Sequence, residues 1–202
     1  MILRDWALAN SGLLGNRLGG APVYPYQPKK VWEALHVSKN RNFEYPTSKG
    51  DDLYRRSLYT FWRRTIGPVN MFDSSDRQAC RVKPGGTSTP LHALTTLNDP
   101  TWVEASRFLA ERVMGSANTL PDRLGEAFRL VNARLPTSNE QKILEETYRE
   151  QLAIYEKDSE GATALLSVGQ AKRNEKLPLP EHAALTITCL GILNLDQSLT
   201  RE

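Results

Sequence analysis

The sequence has only two cysteines, three histidines and no long apolar run, and each shortage excludes a class of protein. Two cysteines in 202 residues cannot form a disulfide scaffold. There is no CxxC or CxxCH motif and no close group of cysteines and histidines, so no haem-attachment or metal-ligand signature is present. No stretch approaches the roughly 20 apolar residues that a membrane span needs. The 12 prolines and 13 glycines are too few for a low-complexity chain.

What remains is the composition of a globular protein, with 40% apolar and 24% charged residues. The length predicts that residues 1–202 form a single domain. The net charge is only +3, but residues 1–83 carry 14 Lys and Arg against 7 Asp and Glu, whereas residues 84–202 carry 12 against 16. This asymmetry fits either a basic docking surface for an acidic partner or two halves with complementary faces. We favour the second.

The N-terminal quarter combines one helix with a long irregular segment. Residues 2–13 have an apolar stripe typical of an amphipathic helix, and Arg4 and Asp5 interrupt any signal-peptide pattern. Residues 15–52 are rich in proline and glycine, so we expect an extended strap followed by a loop. The strap could be a proline-rich ligand for another domain. We favour a strap that packs its tyrosines and valine onto its own domain.

The rest of the chain is predicted to be helical. Thr89-Pro90 and Asp99-Pro100 each match an N-cap followed by proline, and Thr137 to Glu140 form a capping box. Further helices are predicted around residues 124–131, with Pro136 as the stop, at 160–168 and at 181–193. The fold class is therefore mainly α, a compact multi-helix domain with at most a short β element near residues 55–61 or 78–83.

Four arginines surround aromatic residues in the segment RRSLYTFWRR. They are Arg55, Arg56, Arg63 and Arg64. Arginines beside aromatic rings can bind phosphate or stack on bases and sugars. The small overall excess of positive charge argues against nucleic acid. We expect at least one of these arginines to pair with Asp73 or Asp76 inside the chain.

Asp73, Asp76 and Arg77 are the candidate catalytic residues, with His92 as a fourth group that could converge with them. Two carboxylates do acid–base chemistry when their environments separate their pKa values. The structural alternative is that Asp73 caps a turn and that Asp76 and Arg77 belong to an ion-pair network. His92 would then be a hydrogen-bonded histidine beside the apolar row that Leu91, Leu94 and Leu97 form on the helix after Thr89. We favour the structural alternative, and no metal site is predicted.

Two more sets of residues leave alternatives open. Exposed aromatic rings can stack on sugars, and the candidates for such a surface are Tyr24, Tyr26, Trp32 and Trp62. Cys80 and Cys189 could form one disulfide across 109 positions, but nothing in the sequence places them together, so we expect two free thiols.

Several of these motifs together resemble a known family. RRSLYTFWRRT, FD-xx-DR-xx-C-x-V, T-x-TPL-x-AL-xx-LNDP, GGAPVYPYQP and the closing LNLDQSLTRE are similar to the C-terminal domain of large planctomycete-type, cytochrome c-associated proteins. This domain is the domain of unknown function fifteen fifty-three. The resemblance covers nearly the whole chain, and the motifs occur in the same order.

The resemblance implies an exported, multidomain bacterial parent protein, in the periplasm or outside the cell. In such proteins this domain follows a c-type haem module and a second domain, so we expect haem only upstream and no cofactor in this chain. The chain would then be the C-terminal part of a longer protein. Its partners would be the upstream domains of the same polypeptide, with polysaccharide as a further candidate partner. No catalytic residues can be transferred from the family. We therefore expect a non-catalytic structural or interaction module, with an enzyme or a carbohydrate-binding module as alternatives.

Overall fold

In a computed structural model of the chain, the residues described are 2–28, 45–62 and 89–200. Across these ranges the chain is mainly helical, as predicted, and no sheet is formed. The α-helices are α1 (Ile2–Ser11), α2 (Pro90–Asn98), α3 (Pro100–Ser116), α4 (Leu120–Asn132), α5 (Ser138–Tyr155), α6 (Ser159–Leu166), α7 (Leu179–Leu193) and α8 (Asp196–Leu199). Two short 3-10 helices span Gly50–Tyr54 and Ser57–Tyr59.

The core is built around α3 and α7, which pack against each other, with α1, α4 and α5 completing the layer around them. Most residues of both central helices are buried, as expected for helices that others surround. Their fully buried side chains include Trp102, Leu109 and Val113 on α3 and Leu185 and Ile192 on α7. Each large side chain of this kind contributes about 1.5–3 kcal/mol by leaving water.

The predicted helix caps are confirmed. The Thr89 hydroxyl accepts the His92 backbone N–H at 3.3 Å, and the Asp99 carboxylate accepts the Thr101 N–H at 2.9 Å. At α5 the Thr137 hydroxyl accepts the Glu140 N–H at 3.3 Å, while the Glu140 carboxylate accepts the Thr137 N–H at 2.7 Å. Because these bonds satisfy donors that a helix start leaves free, they fix where α2, α3 and α5 begin.

Helix α4 ends earlier than the sequence predicted. It stops at Asn132, and the next residue, Ala133, has a left-handed backbone with φ of 56°. The Ala133 N–H bonds the Arg129 carbonyl at 2.9 Å and closes the last turn. Pro136 is therefore not the residue that terminates the helix. The prediction of a helix near residues 181–193 is confirmed, with α7 starting at Leu179.

Helix α2 turns its leucines outward. Leu91, Leu94 and Leu97 were predicted to line the helix as its apolar row, but their exposed fractions are 69%, 59% and 43%. The buried residue of α2 is Thr96, whose hydroxyl hydrogen bonds the side chain of Asn194. The helix therefore faces the rest of the domain with a polar residue rather than with its leucines.

The first part of the strap runs beside the segment that carries the two 3-10 helices. Gly15 N–H bonds the Tyr54 carbonyl at 2.9 Å, Val23 N–H bonds the Tyr59 carbonyl at 2.9 Å, and Val23 C=O accepts the Phe61 N–H at 2.8 Å. These contacts produce two isolated parallel bridges, Gly15 to Arg55 and Val23 to Thr60. Within the described residues, the β element predicted at 55–61 consists of these two bridges. The alternative position, residues 78–83, lies outside the described ranges.

Candidate functional site

Helix α3 carries three charged side chains on one face, although most of its surface is buried among apolar residues. Glu104, Arg107 and Glu111 are spaced by three and four positions, which places them in a row along the helix. This row faces the connection between α6 and α7, residues 167–178. All three side chains bind the backbone of that connection or of Leu166 just before it.

Glu104 is fully buried and accepts hydrogen bonds from three separate parts of the chain. Its Oε1 atom accepts the Tyr54 hydroxyl at 2.9 Å and the Ala171 backbone N–H at 2.8 Å. Its Oε2 atom accepts the Tyr26 hydroxyl at 3.2 Å, and Arg107 Nη2 lies 3.5 Å from Oε1. A buried carboxylate is tolerated only with such partners. Glu104 therefore joins the strap, the Gly50–Tyr54 turn and the α6–α7 connection.

The hydroxyl groups of the two tyrosines at this junction stay protonated at neutral pH and so remain donors. Burial, together with the neighbouring Glu104 carboxylate, raises the pKa of Tyr26 to about 12 and raises the pKa of Tyr54 as well. The Tyr26 oxygen also accepts the Gln170 backbone N–H at 2.7 Å. A single hydroxyl group thus links the strap both to α3 and to the α6–α7 connection.

Arg107 completes the junction from the same helix. Its Nη1 atom donates to the Leu166 carbonyl at 3.1 Å and its Nη2 atom donates to the Ala171 carbonyl at 2.6 Å. The side chain is 1% exposed. Because a planar guanidinium can reach several acceptors at fixed angles, Arg107 fixes the position of the connection relative to α3.

Two further buried arginines hold the N-terminal part together. Arg4 donates to the carbonyls of Leu53 at 2.6 Å and Arg55 at 3.0 Å and to the Ser57 hydroxyl at 3.2 Å. Burial lowers the pKa of the Arg4 guanidinium, with Asp5 acting in the opposite direction. Arg55 donates to the carbonyls of Ala21 and Gly19 and covers the Tyr59 ring at 4.1 Å. The arginines therefore bind backbone carbonyls in the interior.

A second polar pair lies further along α3. His182 of α7 is fully buried, and its Nε2 atom lies 3.5 Å from Glu111 Oε1. Neither ring nitrogen makes a hydrogen bond of ordinary geometry within the described part of the chain. Burial lowers the pKa of His182 to about 4. The Arg107 backbone acts against this shift, and the charges of Arg107 and Arg173 add to it. Burial raises the pKa of Glu111, whose Oε1 accepts the Asn174 backbone N–H at 3.0 Å.

The residues singled out from the sequence lie in several places. Arg55 is buried and Arg56 is exposed on the neighbouring position. Tyr24 stacks on Phe61 with 4.9 Å between ring centroids and meets Tyr45 edge-on at 5.4 Å. Tyr26 belongs to the Glu104 junction, as described above. The other candidates with described positions, both half-buried, are Trp62 and His92.

The remaining candidates fall outside the described residues, so their proposed roles stay predictions. They are Trp32, Arg63, Arg64, Asp73, Asp76 and Arg77. The expected pairing of an arginine with Asp73 or Asp76 stays a prediction for the same reason. Of the two cysteines, Cys189 is a buried free thiol whose pKa is raised by burial, and Cys80 is outside the described ranges.

Sequence reasoning missed the residues that the tertiary structure brings together. Glu104, Arg107 and His182 were not considered as a group, and Arg4 was weighed only as an interruption of a signal-peptide pattern. One local signal was available, because Glu104 and Arg107 stand three positions apart in a helix otherwise rich in apolar residues. Charged residues on such a helix are almost always paired when buried. The partners themselves lie too far away in sequence to be read from spacing.

Two open grooves border the described surface. One, of about 250 Å³, lies between the start of the strap and the Gly50–Tyr54 turn, and the exposed Arg17–Asp52 ion pair at 2.7 Å stands at its edge. The other, of about 360 Å³, lies between the strap residues Gln27 and Pro28 and the α2–α3 junction at Asp99. Glu104, Arg107 and His182 line neither groove, whereas the buried Arg55 lines the first.

The described ranges contain neither a metal-ligand cluster nor a membrane-spanning helix. Within residues 2–28, 45–62 and 89–200, no three His, Cys, Asp or Glu side chains are grouped so that they could hold a metal ion. In the same ranges, none of the helices combines the length and the apolar character required to span a bilayer.

The geometry thus defines a helical domain whose internal charged side chains bind its own backbone segments. The model of the PSD1 family, whose description is protein of unknown function (DUF1553), matches residues 1–148. The chain belongs to this family, which confirms the resemblance found in its motifs. No curated protein and no solved structure matches the chain.

Proposed function

We propose that this chain is a non-catalytic structural and interaction module at the C-terminal end of an exported, multidomain bacterial protein. Its partners are the upstream domains of the same polypeptide, and the parent acts in the periplasm or outside the cell. Any haem belongs to an upstream module and none to this chain. These assignments of partner, location and cofactor follow from the family resemblance in the sequence motifs.

The proposal rests on the burial and the hydrogen bonds of Glu104. A catalytic carboxylate must reach substrate and change its protonation or bonding partners during turnover. Glu104 instead has no exposed surface and is occupied by Tyr26, Tyr54 and the Ala171 N–H. Such a group supports the position of surrounding segments. Arg4, Arg55 and Arg107 support the same interpretation, because they donate mainly to backbone carbonyls.

The test uses the parent protein encoded by the full reading frame. The sequence upstream of residue 1 and the present chain are produced as separate pieces and mixed, and association is measured by calorimetry and size exclusion. We expect a stoichiometric complex, and we expect the chain alone to turn over none of a panel of glycoside, ester and redox substrates. Failure of the two pieces to associate would contradict the proposed partner.

The enzyme alternative is tested in the same experiment with an Asp73→Asn, Asp76→Asn double variant. The matched control is an Asp51→Asn, Asp52→Asn double variant, which removes the same charge from the solvent-accessible side of the Gly50–Tyr54 3-10 helix. Turnover by the unmodified chain that survives in the control and disappears in the test variant would overturn the non-catalytic assignment. The carbohydrate-binding alternative is tested by retention on insoluble polysaccharide. If the chain is retained and Trp62→Ala abolishes retention, carbohydrate binding replaces the structural role as the assignment.

A further inference from the structure

The α6–α7 connection is an irregular segment held to the helical core by a few polar contacts. Most of residues 167–178 are exposed or half-buried, and the connection forms no helix or strand. Its backbone is bound at Gln170 by Tyr26, at Ala171 by Glu104 and Arg107, and at Asn174 by Glu111. A segment with so little apolar burial opens at low free-energy cost when one of these contacts weakens.

His182 lies directly behind this attachment. Its Nε2 atom is 3.5 Å from Glu111 Oε1, the same oxygen that accepts the Asn174 N–H. The other charged groups acting on His182 are Arg107 from α3 and Arg173 from the connection itself. Arg173 also has one buried guanidinium nitrogen, Nη1, without a hydrogen-bond partner in the described part of the chain. The buried, uncharged imidazole therefore lies between two positive charges and one carboxylate, that of Glu111.

We propose that His182 acts as a proton-sensitive latch, and that its protonation releases residues 167–178 from α3. A proton on the buried ring loses its hydration and is repelled by Arg107 and Arg173. The facing Glu111 carboxylate attracts that proton, but burial disfavours the charged form of Glu111 as well. The domain can relieve this repulsion by moving the connection, which carries Arg173, away from α3 and admitting water to the ring. The inference concerns a conformational change and does not depend on the proposed function.

The direction of the pH effect follows from the difference between the docked and open forms. An exposed histidine has a pKa of about 6.5, whereas the pKa of His182 in the docked form is about 4. The open form therefore binds the proton more tightly, and docking weakens as the pH falls from about 6.5 towards 4. Glu111 has the opposite effect on docking. Burial raises its pKa in the docked form, so the docked form binds that proton more tightly than the open form and is stabilised as the pH falls.

The experiment is amide hydrogen exchange of the full chain at pH 7 and pH 5, corrected for the intrinsic pH dependence of exchange. In the unmodified chain, we expect the opening equilibrium of residues 167–178 to rise on the order of tenfold at pH 5. In His182→Gln this rise should disappear, because the amide cannot take up a proton. His92→Gln, which removes a histidine from α2, should behave as the unmodified chain.

Equal protection of the connection at both pH values, or the same pH dependence in His182→Gln, would overturn the latch. If His182→Gln does not fold, NMR titration of the unmodified chain decides the question. The latch requires the His182 ring and the Asn174 amide to titrate together with a midpoint well below 6.5. A His182 midpoint at or above 6.5, or an Asn174 amide signal that does not shift with the His182 titration, would overturn the latch.

Discussion

Gly169 lies against the carboxyl group of Glu104 so closely that a Cβ atom on Gly169 would overlap it. The backbone at Gly169 is also left-handed, with φ of 92°, a conformation that residues with a side chain rarely adopt. Both features have the same consequence. The α6–α7 connection approaches α3 closely enough for the Ala171 N–H to bond Glu104 only because residue 169 has no side chain.

Gly169→Ala should therefore destabilise the domain by about 1–3 kcal/mol, through backbone strain and the overlap with Glu104. Chemical denaturation measures the free energy of unfolding. The control is Gly115→Ala in α3, where a Cβ meets no atom within 4 Å. Alanine favours a helix, so the control should be neutral or slightly stabilising. Equal losses in both variants would refute the proposed role of the close approach.

Removing the Glu104 carboxylate should be among the most damaging single changes in the core. Glu104→Ala leaves the Tyr26 and Tyr54 hydroxyls, the Ala171 N–H and the Arg107 charge without their acceptor. We expect a loss of about 3–5 kcal/mol in the free energy of unfolding.

The two tyrosines provide graded comparisons for Glu104→Ala. Tyr54→Phe and Tyr26→Phe each remove one donor to the carboxylate and should cost about 1 kcal/mol. Tyr26→Phe also removes the acceptor of the Gln170 N–H. A Glu104→Ala variant no less stable than either Phe variant would show that the carboxylate does not organise the junction.

The capping box at the start of α5 predicts a smaller effect. Thr137→Ala removes the hydroxyl that accepts the Glu140 N–H and should lower the free energy of unfolding by about 1 kcal/mol. Thr147→Ala makes the same substitution in the middle of α5, where the hydroxyl only bonds the Ile143 carbonyl. That control should change stability by less than about 0.5 kcal/mol. An unchanged thermal midpoint in Thr137→Ala would contradict the cap.

Glu140 also titrates at an unusually low pH. Its carboxylate accepts two bonds from Arg134, at 2.6 and 2.8 Å, and one from the Thr137 N–H, and these lower its pKa to about 2. The contribution to stability is complete above the unfolded pKa near 4.3 and is lost as the pH falls towards 2. In Arg134→Gln, NMR titration should find the pKa of Glu140 raised towards its usual value. Glu150, also on α5 but outside this contact, serves as the internal reference in the same spectra.

Local sequence patterns predicted much of the fold, because they record interactions between near neighbours. A cap such as Thr137 binds an N–H three residues away, so its partner is present in the same short motif. The apolar positions of α1, α5 and α7 likewise predicted helices without knowledge of their neighbours. The end of α4 was missed because the left-handed turn at Ala133 has no glycine to indicate it.

The sequence by itself therefore determined the helices, most of their starting points and the family to which the chain belongs. Only the tertiary structure decided which charged residues matter. Glu104 meets Tyr26, Tyr54 and Ala171 from 78, 50 and 67 positions away. Chain folding, and not spacing, brings such groups together, and burial then makes their hydrogen bonds obligatory because no water can replace the missing partner. The outward leucines of α2 follow from the same cause, since the surface that a helix buries depends on what packs against it.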